Sequence, residues 1–360
     1  MNRKLKIHFI LPAMGKTGGV LVVLEYARQF QKMGHDVRVY YPFFPYWIYF
    51  NGFSKWKRPW AYLRYLISHI RVSTQDISWI PDTLDLRRVL FISSVFLRDA
   101  DAIIATAWPT AYSVAHLSTT KGEKLYFVQH YETWHGEEAA VDASYRLPLK
   151  LLVIAPWLTE LMREKFGRKV TAELHNGIDL DFFSPLSMKP KVLSVLMMYH
   201  VLEIKGVSDG LEVLRRLHQV HPEVRIRMFG MYPFREADNF VEYYLNPTPE
   251  QLLDLYQTSH IFFSPSLSEG WHLPPMEAMA CGCAVVATNV GCIPILKGDG
   301  NLLSAEPSDR ETLFRHLEFL VDHPVKMAEM AERGHQNILN YSWEKQSKHF
   351  EQILLSVLNP

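Results

Sequence analysis

The sequence predicts an α/β protein of two halves, and three observations lead to this fold class. The chain has 360 residues, more than a single domain of ordinary size holds. Short apolar runs alternate with segments of helical periodicity in both halves, as in doubly wound sheets. A polar, proline-containing stretch at residues 182–191 separates the two series and is typical of an interdomain linker. We therefore expect domains at residues 1–183 and 184–340, followed by a helix within residues 341–360.

The first half opens with an apolar strand at residues 6–11, a glycine-containing loop at 15–19, an amphipathic helix at 20–33 and a strand at 37–41. Ligands approach such a sheet at the loops that follow the carboxyl ends of its strands. The other elements predicted in this half are strands at 102–105, 124–129 and 151–155 and a helix at 157–166.

The second half repeats this alternation after a turn at residues 175–179. Its predicted strands are 192–198, 225–229, 261–264 and 284–288, and its predicted helices are 207–220, 249–258, a short helix from Pro274, and 341–358.

Composition places the chain among soluble globular proteins, because 48% of its residues are apolar and 21% are charged. No run of 18 or more apolar residues predicts a membrane-spanning helix. The three cysteines, Cys281, Cys283 and Cys292, lack the spacing of a zinc site, and reduced thiols fit a cytoplasmic protein. The net charge of zero hides an asymmetry, since residues 1–100 contain 15 Lys+Arg and 6 Asp+Glu. The first half is therefore suited to an anionic partner.

Residues 265–286 are the most informative segment. Glu269 lies on a loop after a strand, a helix starts at the Pro274-Pro275 pair, Glu277 lies within that helix, and Gly282 ends it. A helix start offers unpaired N–H groups to phosphate oxygens, and two carboxylates beside it suit the hydroxyl groups of sugars. A buried helix start with two solvated acids is the alternative explanation.

This segment resembles the donor-site signature of the retaining glycosyltransferases of family 4, in which one Glu is followed after seven residues by a second. One position departs from the signature, since His272 stands where the family usually has a second glycine. The resemblance implies the GT-B fold, two facing Rossmann-like domains with a cleft between them, and a last helix that crosses back to the first domain. The matching positions are both glutamates, Gly270, Leu273, Pro274, residues 277–280 and Gly282.

A cation follows the first strand of the second half, where residues 200–206 read His-Val-Leu-Glu-Ile-Lys-Gly. Such a lysine is often a solvated surface charge. The family pattern, however, has an Arg, four residues and then Lys-Gly, both cations holding the donor diphosphate. Lys205 and Gly206 match this pattern, and His200 replaces the arginine. Since histidine must gain a proton to replace that charge, we hypothesise that His200 is protonated when a nucleoside diphosphate binds.

The resemblance implies a role for each further position. Glu269 contacts the donor sugar and phosphate region, Glu277 binds the ribose hydroxyls, and N–H groups near Gly270 and Trp271 stabilise the departing diphosphate together with Lys205. Leu273 completes this binding loop, and His272 projects beside the sugar and narrows donor choice.

The first half contributes two groups by the same resemblance. His130 follows a strand and takes the place of the family's active-site histidine, although a hydrogen-bonded loop histidine is the plain alternative. Gly18 and Gly19 let a backbone loop approach the diphosphate and the acceptor closely, whereas a tight turn would also explain them. Residues 129–134 are similar to family members that build bacterial surface polysaccharides, rhamnose-transferring ones among them.

Aromatic and basic residues are interleaved without an acid at residues 43–71. This pattern favours an anionic membrane surface or a lipid-linked acceptor, while partly buried helices are the alternative. Nucleic acid is not expected, because no nucleic-acid motif accompanies the basic residues.

The function predicted from these observations is that of a retaining glycosyltransferase that moves a sugar from a nucleotide sugar to a glycan or lipid-linked hydroxyl. We expect front-face chemistry in the cytoplasm or at the inner face of the cell membrane, without metal or cofactor. Whether the donor carries UDP, GDP or dTDP stays open. The alternatives are a GT-B phosphorylase or epimerase, and an inactive partner protein that binds nucleotide sugars.

Overall fold

The structure is a computed structural model that describes residues 3–15, 17–44, 46, 83–133, 137–234 and 238–359. The chain divides into two compact units. The first unit comprises Met1–Asn176 together with Trp343–Pro360, and the second comprises Gly177–Ser342. The predicted stretch at 43–71 lies outside the described residues apart from Phe43, Phe44 and Tyr46.

The first unit contains a parallel sheet of seven described strands in the order β3-β2-β1-β4-β5-β6-β7. Its central strands are buried on both faces, which explains their continuous apolar sequences. The strands are β1 (Lys6–Ile10), β2 (Asp36–Pro42), β3 (Leu86–Val89), β4 (Ala102–Ala105), β5 (Glu123–Val128), β6 (Lys150–Val153) and β7 (Ala172–Glu173). The described helices are α1 (Gly18–Lys32), α2 (Trp108–Ala115), α3 (Glu138–Tyr145) and α4 (Pro156–Phe166).

The second unit contains a parallel sheet of six described strands in the order β10-β9-β8-β11-β12-β13. The strands are β8 (Ser194–Met198), β9 (Arg225–Gly230), β10 (Val241–Leu245), β11 (Ile261–Ser264), β12 (Ala284–Thr288) and β13 (Leu303–Ala305). The described helices are α5 (Val207–Val220), α6 (Pro249–Gln257), α7 (Leu273–Ala280), α8 (Ile293–Leu296), α9 (Arg310–Asp322) and α10 (Pro324–Ile338).

The last helix, α11 (Trp343–Leu358), packs on α1 within the first unit. The rings of Trp343 and Phe350 lie 5.1 Å and 5.3 Å from the ring of Tyr26. A buried contact of 3.0 Å joins His35 Nε2 to Glu351 Oε1. Aromatic packing therefore attaches the chain's last helix to its first, and the His35–Glu351 contact attaches it to the turn that follows the first helix.

The α/β class predicted from the sequence is confirmed, since each unit is a parallel sheet with helices connecting its strands. No helix among the described residues is long and apolar enough to cross a membrane.

Candidate functional site

The carboxyl ends of β8 and β11 are neighbours in the second sheet, and the strand order reverses between them. Such a reversal opens a crevice beyond the strand ends, where α/β proteins bind ligands. Lys205 ends a 3₁₀ turn after β8, and Glu269 lies on the loop after β11. The two loops are joined directly, because the N–H of Leu267 donates to the carbonyl of Ile204 at 2.7 Å.

Gly206 holds these loops in contact. Its φ is +61°, and an added Cβ would lie 2.0 Å from the carbonyl oxygen of Pro265. No side chain fits at that distance, and the left-handed backbone also favours glycine. Glycine is therefore needed after Lys205 so that the two loops can touch, and this contact places Lys205 beside the Glu269 loop.

The Glu269 carboxylate, 8% exposed, is held by three side chains. Lys205 Nζ lies 2.8 Å from Oε1 and 2.9 Å from Oε2, and Ser266 Oγ donates to Oε1 at 2.9 Å. His272 Nδ1 is 3.1 Å from the same Oε1. Burial acts to raise the pKa of Glu269, but the charges and hydrogen bonds of His272 and Lys205 outweigh it and hold that pKa well below its usual range.

His272 occupies a backbone conformation that explains why glycine is usual in the family. Its φ is +85°, in the region that residues with a Cβ rarely adopt. Its ring lies between Ser264 Oγ, 2.6 Å from Nε2, and Glu269. The side chain is 1% exposed. The expectation that His272 projects beside the sugar is therefore corrected, because the ring packs behind Glu269 instead.

The segment after β12 supports this strained loop. Cys292 donates from its N–H to the Trp271 carbonyl at 2.6 Å, and its thiol donates to the His272 carbonyl at 3.2 Å. The buried Trp271 indole N–H contacts Met276 Sδ at 3.0 Å, so this ring belongs to the core. Gly270 is buried in the same loop, and Leu273 is the first residue of α7.

Glu277 lies on α7, and Tyr256 of α6 donates to its Oε2 at 2.7 Å. Burial raises the pKa of Glu277 to about 7, although the hydrogen bond from Tyr256 acts in the opposite direction. Tyr256 donates to Oε2, so the other oxygen, Oε1, can accept a hydrogen bond from another hydroxyl.

His200 is partly buried, and its Nδ1 accepts the N–H of Leu202 at 3.0 Å. This bond assigns the proton of a neutral ring to Nε2. Burial and the charge of Lys205 lower the pKa of His200, while Glu269 opposes them. In this structure a neutral His200 ring carries its proton on Nε2, and protonation on binding of a nucleoside diphosphate stays a prediction.

In the first unit, Gly18 and Gly19 begin α1. An added Cβ would meet no protein atom at Gly18 and only the flexible amide of Gln129 at Gly19. That amide donates to the carbonyls of Gly19 and Thr106, at 3.2 Å and 3.4 Å. The glycine pair therefore lies at the carboxyl ends of β4 and β5.

His130, next in the chain after Gln129, lies at the same edge of the first sheet. Its ring centroid is 5.4 Å from that of Trp157, and its carbonyl accepts the hydroxyl of Tyr145 at 3.1 Å. Within the first unit, His130 and the paired glycines thus lie at the same edge of the sheet, and Gln129 is the residue that contacts Gly19.

Sequence reasoning missed several polar contacts of these residues. Ser264 lies just before residues 265–286 and Ser266 lies within them, and both offered only a weak local signal, whereas Tyr256 and Gln129 belong to other elements. Within the described part of the chain, no group of three or more His, Cys, Asp or Glu side chains could hold a metal ion. All three cysteines are buried free thiols.

Residues 181–337 match the family described as Glycosyl transferases group 1. A phosphatidylinositol N-acetylglucosaminyltransferase chain of Arabidopsis thaliana is 25% identical over 190 residues, which are 49% of this chain and 42% of that protein. The O-antigen chain mannosyltransferase B of Escherichia coli is 38% identical over 103 residues, 28% of this chain and 26% of that protein. The chain thus spans less than half the length of these curated relatives.

The structure of HepE from Anabaena, solved in complex with UDP-glucose, superposes with a TM-score of 0.72. It covers 98% of this chain and 100% of that chain at 15% identity, a likeness that concerns the fold. The GT-B prediction for two Rossmann-like domains is confirmed. The family match over residues 181–337 and the names of the two relatives concern glycosyltransferases.

Proposed function

We propose that this protein is a retaining glycosyltransferase that moves a sugar from a nucleoside diphosphate sugar to a hydroxyl of a glycan or lipid-linked acceptor, without a metal ion. The observation that carries the proposal is the Lys205–Glu269 pair at the strand-order reversal of the second sheet. This pair lies within residues 181–337, the segment that matches Glycosyl transferases group 1.

Lys205 supplies the charge that the reaction needs. Cleavage of a sugar–phosphate bond develops negative charge on the departing diphosphate, and a preorganised cation stabilises that charge. An ammonium group has three N–H donors, of which Glu269 engages at most two. The third can donate to a phosphate oxygen while the ion pair stays intact.

The two carboxylates act on the sugar side and the ribose side. Glu269 stays ionised because its pKa is low, so it accepts hydrogen bonds from the hydroxyls of the donor sugar. Glu277 accepts the ribose hydroxyls with the acceptor capacity that Tyr256 leaves. In front-face substitution the leaving phosphate takes the acceptor's proton, so no protein nucleophile is needed.

The proposal assigns acceptor binding to the first unit. His130 and the N–H groups of Gly18 and Gly19 supply polar contacts at the carboxyl edge of the first sheet, where ligands of doubly wound sheets bind. The similarity to an O-antigen chain mannosyltransferase and the sequence of residues 129–134 favour a glycan acceptor in cell-surface polysaccharide assembly.

Peripheral membrane association is a separate part of the proposal, and exposed apolar side chains after β3 support it. Val95 is 87% exposed, and arginines flank the segment. Apolar side chains beside cations suit an anionic bilayer surface. The exposed apolar residues are Leu90, Phe91, Val95 and Phe96, and the exposed arginines are Arg87, Arg88 and Arg98.

Cosedimentation with phosphatidylglycerol vesicles at low salt tests this association. Binding should weaken with Val95→Asp and with added salt, and it should persist with Val325→Asp, an exposed valine of the second unit. Absence of binding by the unchanged protein contradicts the membrane proposal and leaves the enzymatic one intact.

The enzymatic proposal is tested in two stages. A thermal-shift panel of UDP, GDP, ADP and dTDP identifies the base, since a ligand of the folded state raises its apparent stability. Transfer from the matching nucleotide sugars is then followed by nuclear magnetic resonance, which reports whether the anomeric configuration is retained.

Lys205→Ala should lower kcat by about 10²–10³-fold, the usual cost of removing one donor to a developing charge. The matched control is Lys326→Ala, an exposed lysine on α10, which should retain activity. Inversion of the anomer, or complete loss of activity in a chelator, contradicts the mechanism. Tight donor binding with neither transfer nor hydrolysis would instead identify an inactive protein that binds nucleotide sugars.

A further inference from the structure

The environment of Glu269 is asymmetric between its two oxygens. Oε1 accepts hydrogen bonds from Ser266 Oγ at 2.9 Å and Lys205 Nζ at 2.8 Å, and His272 Nδ1 lies 3.1 Å from it. Among the described residues, Oε2 has Lys205 Nζ, at 2.9 Å, as its hydrogen-bond partner. A carboxylate oxygen has two lone-pair sites, so Oε1 is fully engaged whereas Oε2 retains capacity. The protein thus orients the carboxylate and leaves one oxygen for a ligand.

His272 is itself held in place. Ser264 Oγ lies 2.6 Å from Nε2, and the ring has no freedom to turn because its side chain is 1% exposed. Its backbone conformation, with φ at +85°, costs about 1–3 kcal/mol for a residue with a Cβ. Glycine would adopt it without strain. A strained residue persists where surrounding contacts require it, and strain of this kind clusters at functional sites.

Ser264, His272 and Glu269 have the connectivity of a serine–histidine–acid triad. Ser264, however, is only 5% exposed. A nucleophilic hydroxyl must reach a substrate, and this one is enclosed under the ring of His272. The serine therefore fixes the imidazole, and the imidazole faces the carboxylate.

We infer that His272 is a positioning residue: its imidazole, fixed by Ser264, holds Oε1 of Glu269 so that Oε2 accepts a hydroxyl of the donor sugar. This inference deepens the proposed function and rests on it for the identity of the ligand. The position of the Glu269 carboxylate is a property of the ligand-free protein and is independent of the proposed function.

Three substitutions of His272 separate positioning from folding. His272→Asn keeps a polar donor near the position of Nδ1, and asparagine tolerates the left-handed backbone. His272→Gln carries its amide further out, nearer the position of Nε2, and His272→Gly removes the ring while relieving the strain. Ser264→Ala releases the imidazole without touching Glu269.

The kinetic readout is the division of the effect between kcat and the KM for the donor. His272→Gly should lower kcat by about 100-fold, the cost of a misplaced reacting geometry, without loss of thermal stability. His272→Asn should retain activity within about tenfold of the unchanged protein, whereas His272→Gln should behave like the glycine variant. Equal activity of all four proteins, or an asparagine variant no better than the glutamine one, overturns the inference.

The second readout needs no turnover. The Glu269 carboxylate, observed by carbon-13 resonance, should ionise at a higher pH in His272→Gly than in the unchanged protein, because the remaining groups that face it are Lys205, His200 and Cys292. An unchanged titration overturns the inference. If the unchanged protein transfers no sugar while this titration shifts as expected, the proposed function fails and the positioning of Glu269 stands.

Discussion

Removing the cation beside Glu269 should destabilise the second unit by a measurable and pH-dependent amount. Lys205→Met keeps the length of the side chain and removes its charge. The pair is separated by 2.8 Å, and the side chains of Lys205 and Glu269 are 19% and 8% exposed. At an effective dielectric constant near 20 the charge pair is worth about 6 kcal/mol before desolvation is subtracted.

The net loss is smaller than this attraction. Breaking a fully buried pair by removing one partner costs about 3–5 kcal/mol. Ser266 and His272 continue to face Glu269 in the variant, and the cost of desolvating the Lys205 ammonium group disappears with that group. We therefore expect the free energy of unfolding to fall by about 2–3 kcal/mol. A double-mutant cycle with Glu269→Gln isolates the coupling energy of the pair.

The pH dependence has a definite sign. The pKa of Glu269 is depressed in the folded protein, so its stabilising contribution is present above its unfolded pKa of about 4.3 and is lost as the pH falls toward the folded value. In Lys205→Met the folded pKa rises. The stability difference between the two proteins should therefore be largest near pH 7 and should narrow as the pH falls below the unfolded pKa toward the depressed folded value.

Urea unfolding followed by fluorine-19 resonance measures this difference at the site. Trp271 is the only tryptophan between residues 177 and 342, so a fluorotryptophan label there reports the second unit. Lys326→Met, which removes an exposed lysine paired with Glu329 at 2.9 Å, is the matched control and should cost less than about 1 kcal/mol. A Lys205→Met loss no larger than the control's, or one independent of pH, would refute this reasoning.

Three further predictions follow from neighbouring contacts. Glu277→Gln should stabilise the protein by about 1–3 kcal/mol at pH 8 in urea unfolding. The pKa of Glu277 is raised to about 7 in the folded protein, so this group destabilises the fold increasingly from its unfolded pKa of about 4.3 up to about pH 7 and fully above it. The same variant should weaken binding of nucleoside diphosphates, measured by calorimetry. Nucleotide affinity attributable to His200, taken as the difference from His200→Ala, should stay flat from about pH 6 to pH 8, since a neutral Nε2–H donates without taking up a proton; a steep rise toward pH 6 would instead support the protonated ring. Gly206→Ala should lower stability by more than about 3 kcal/mol in the same unfolding assay, whereas Gly298→Ala, where an added Cβ meets nothing, should change it little.

Much of the fold was accessible from local sequence patterns. The strands at 102–105, 261–264 and 284–288 were predicted at the bounds of β4, β11 and β12, because strands buried on both faces read as continuous apolar runs. The strand of residues 241–245 was missed, since β10 is an edge strand whose polar and exposed residues hide the pattern.

Some features of the candidate site could likewise be predicted from the sequence, and others could not. Glu269, Glu277 and Lys205 could be singled out because each lies beside a strand or helix end, and such ends follow from local composition. Their contacts could not, because Tyr256 reaches Glu277 from another helix and Lys205 reaches Glu269 from the loop after a different strand. Contacts of this kind depend on how elements pack, which no short window of sequence contains.

The sequence alone determined the two α/β units, the motif in residues 265–286 and the departure of His272 from a glycine position. Only the tertiary structure decided what that departure does. A left-handed backbone turns the imidazole inward, where Ser264 and Glu269 enclose it, and the same turn keeps it away from the surface where a sugar was expected to meet it. The direction of a side chain depends on φ and on the atoms packed around it, and both are set by the fold as a whole.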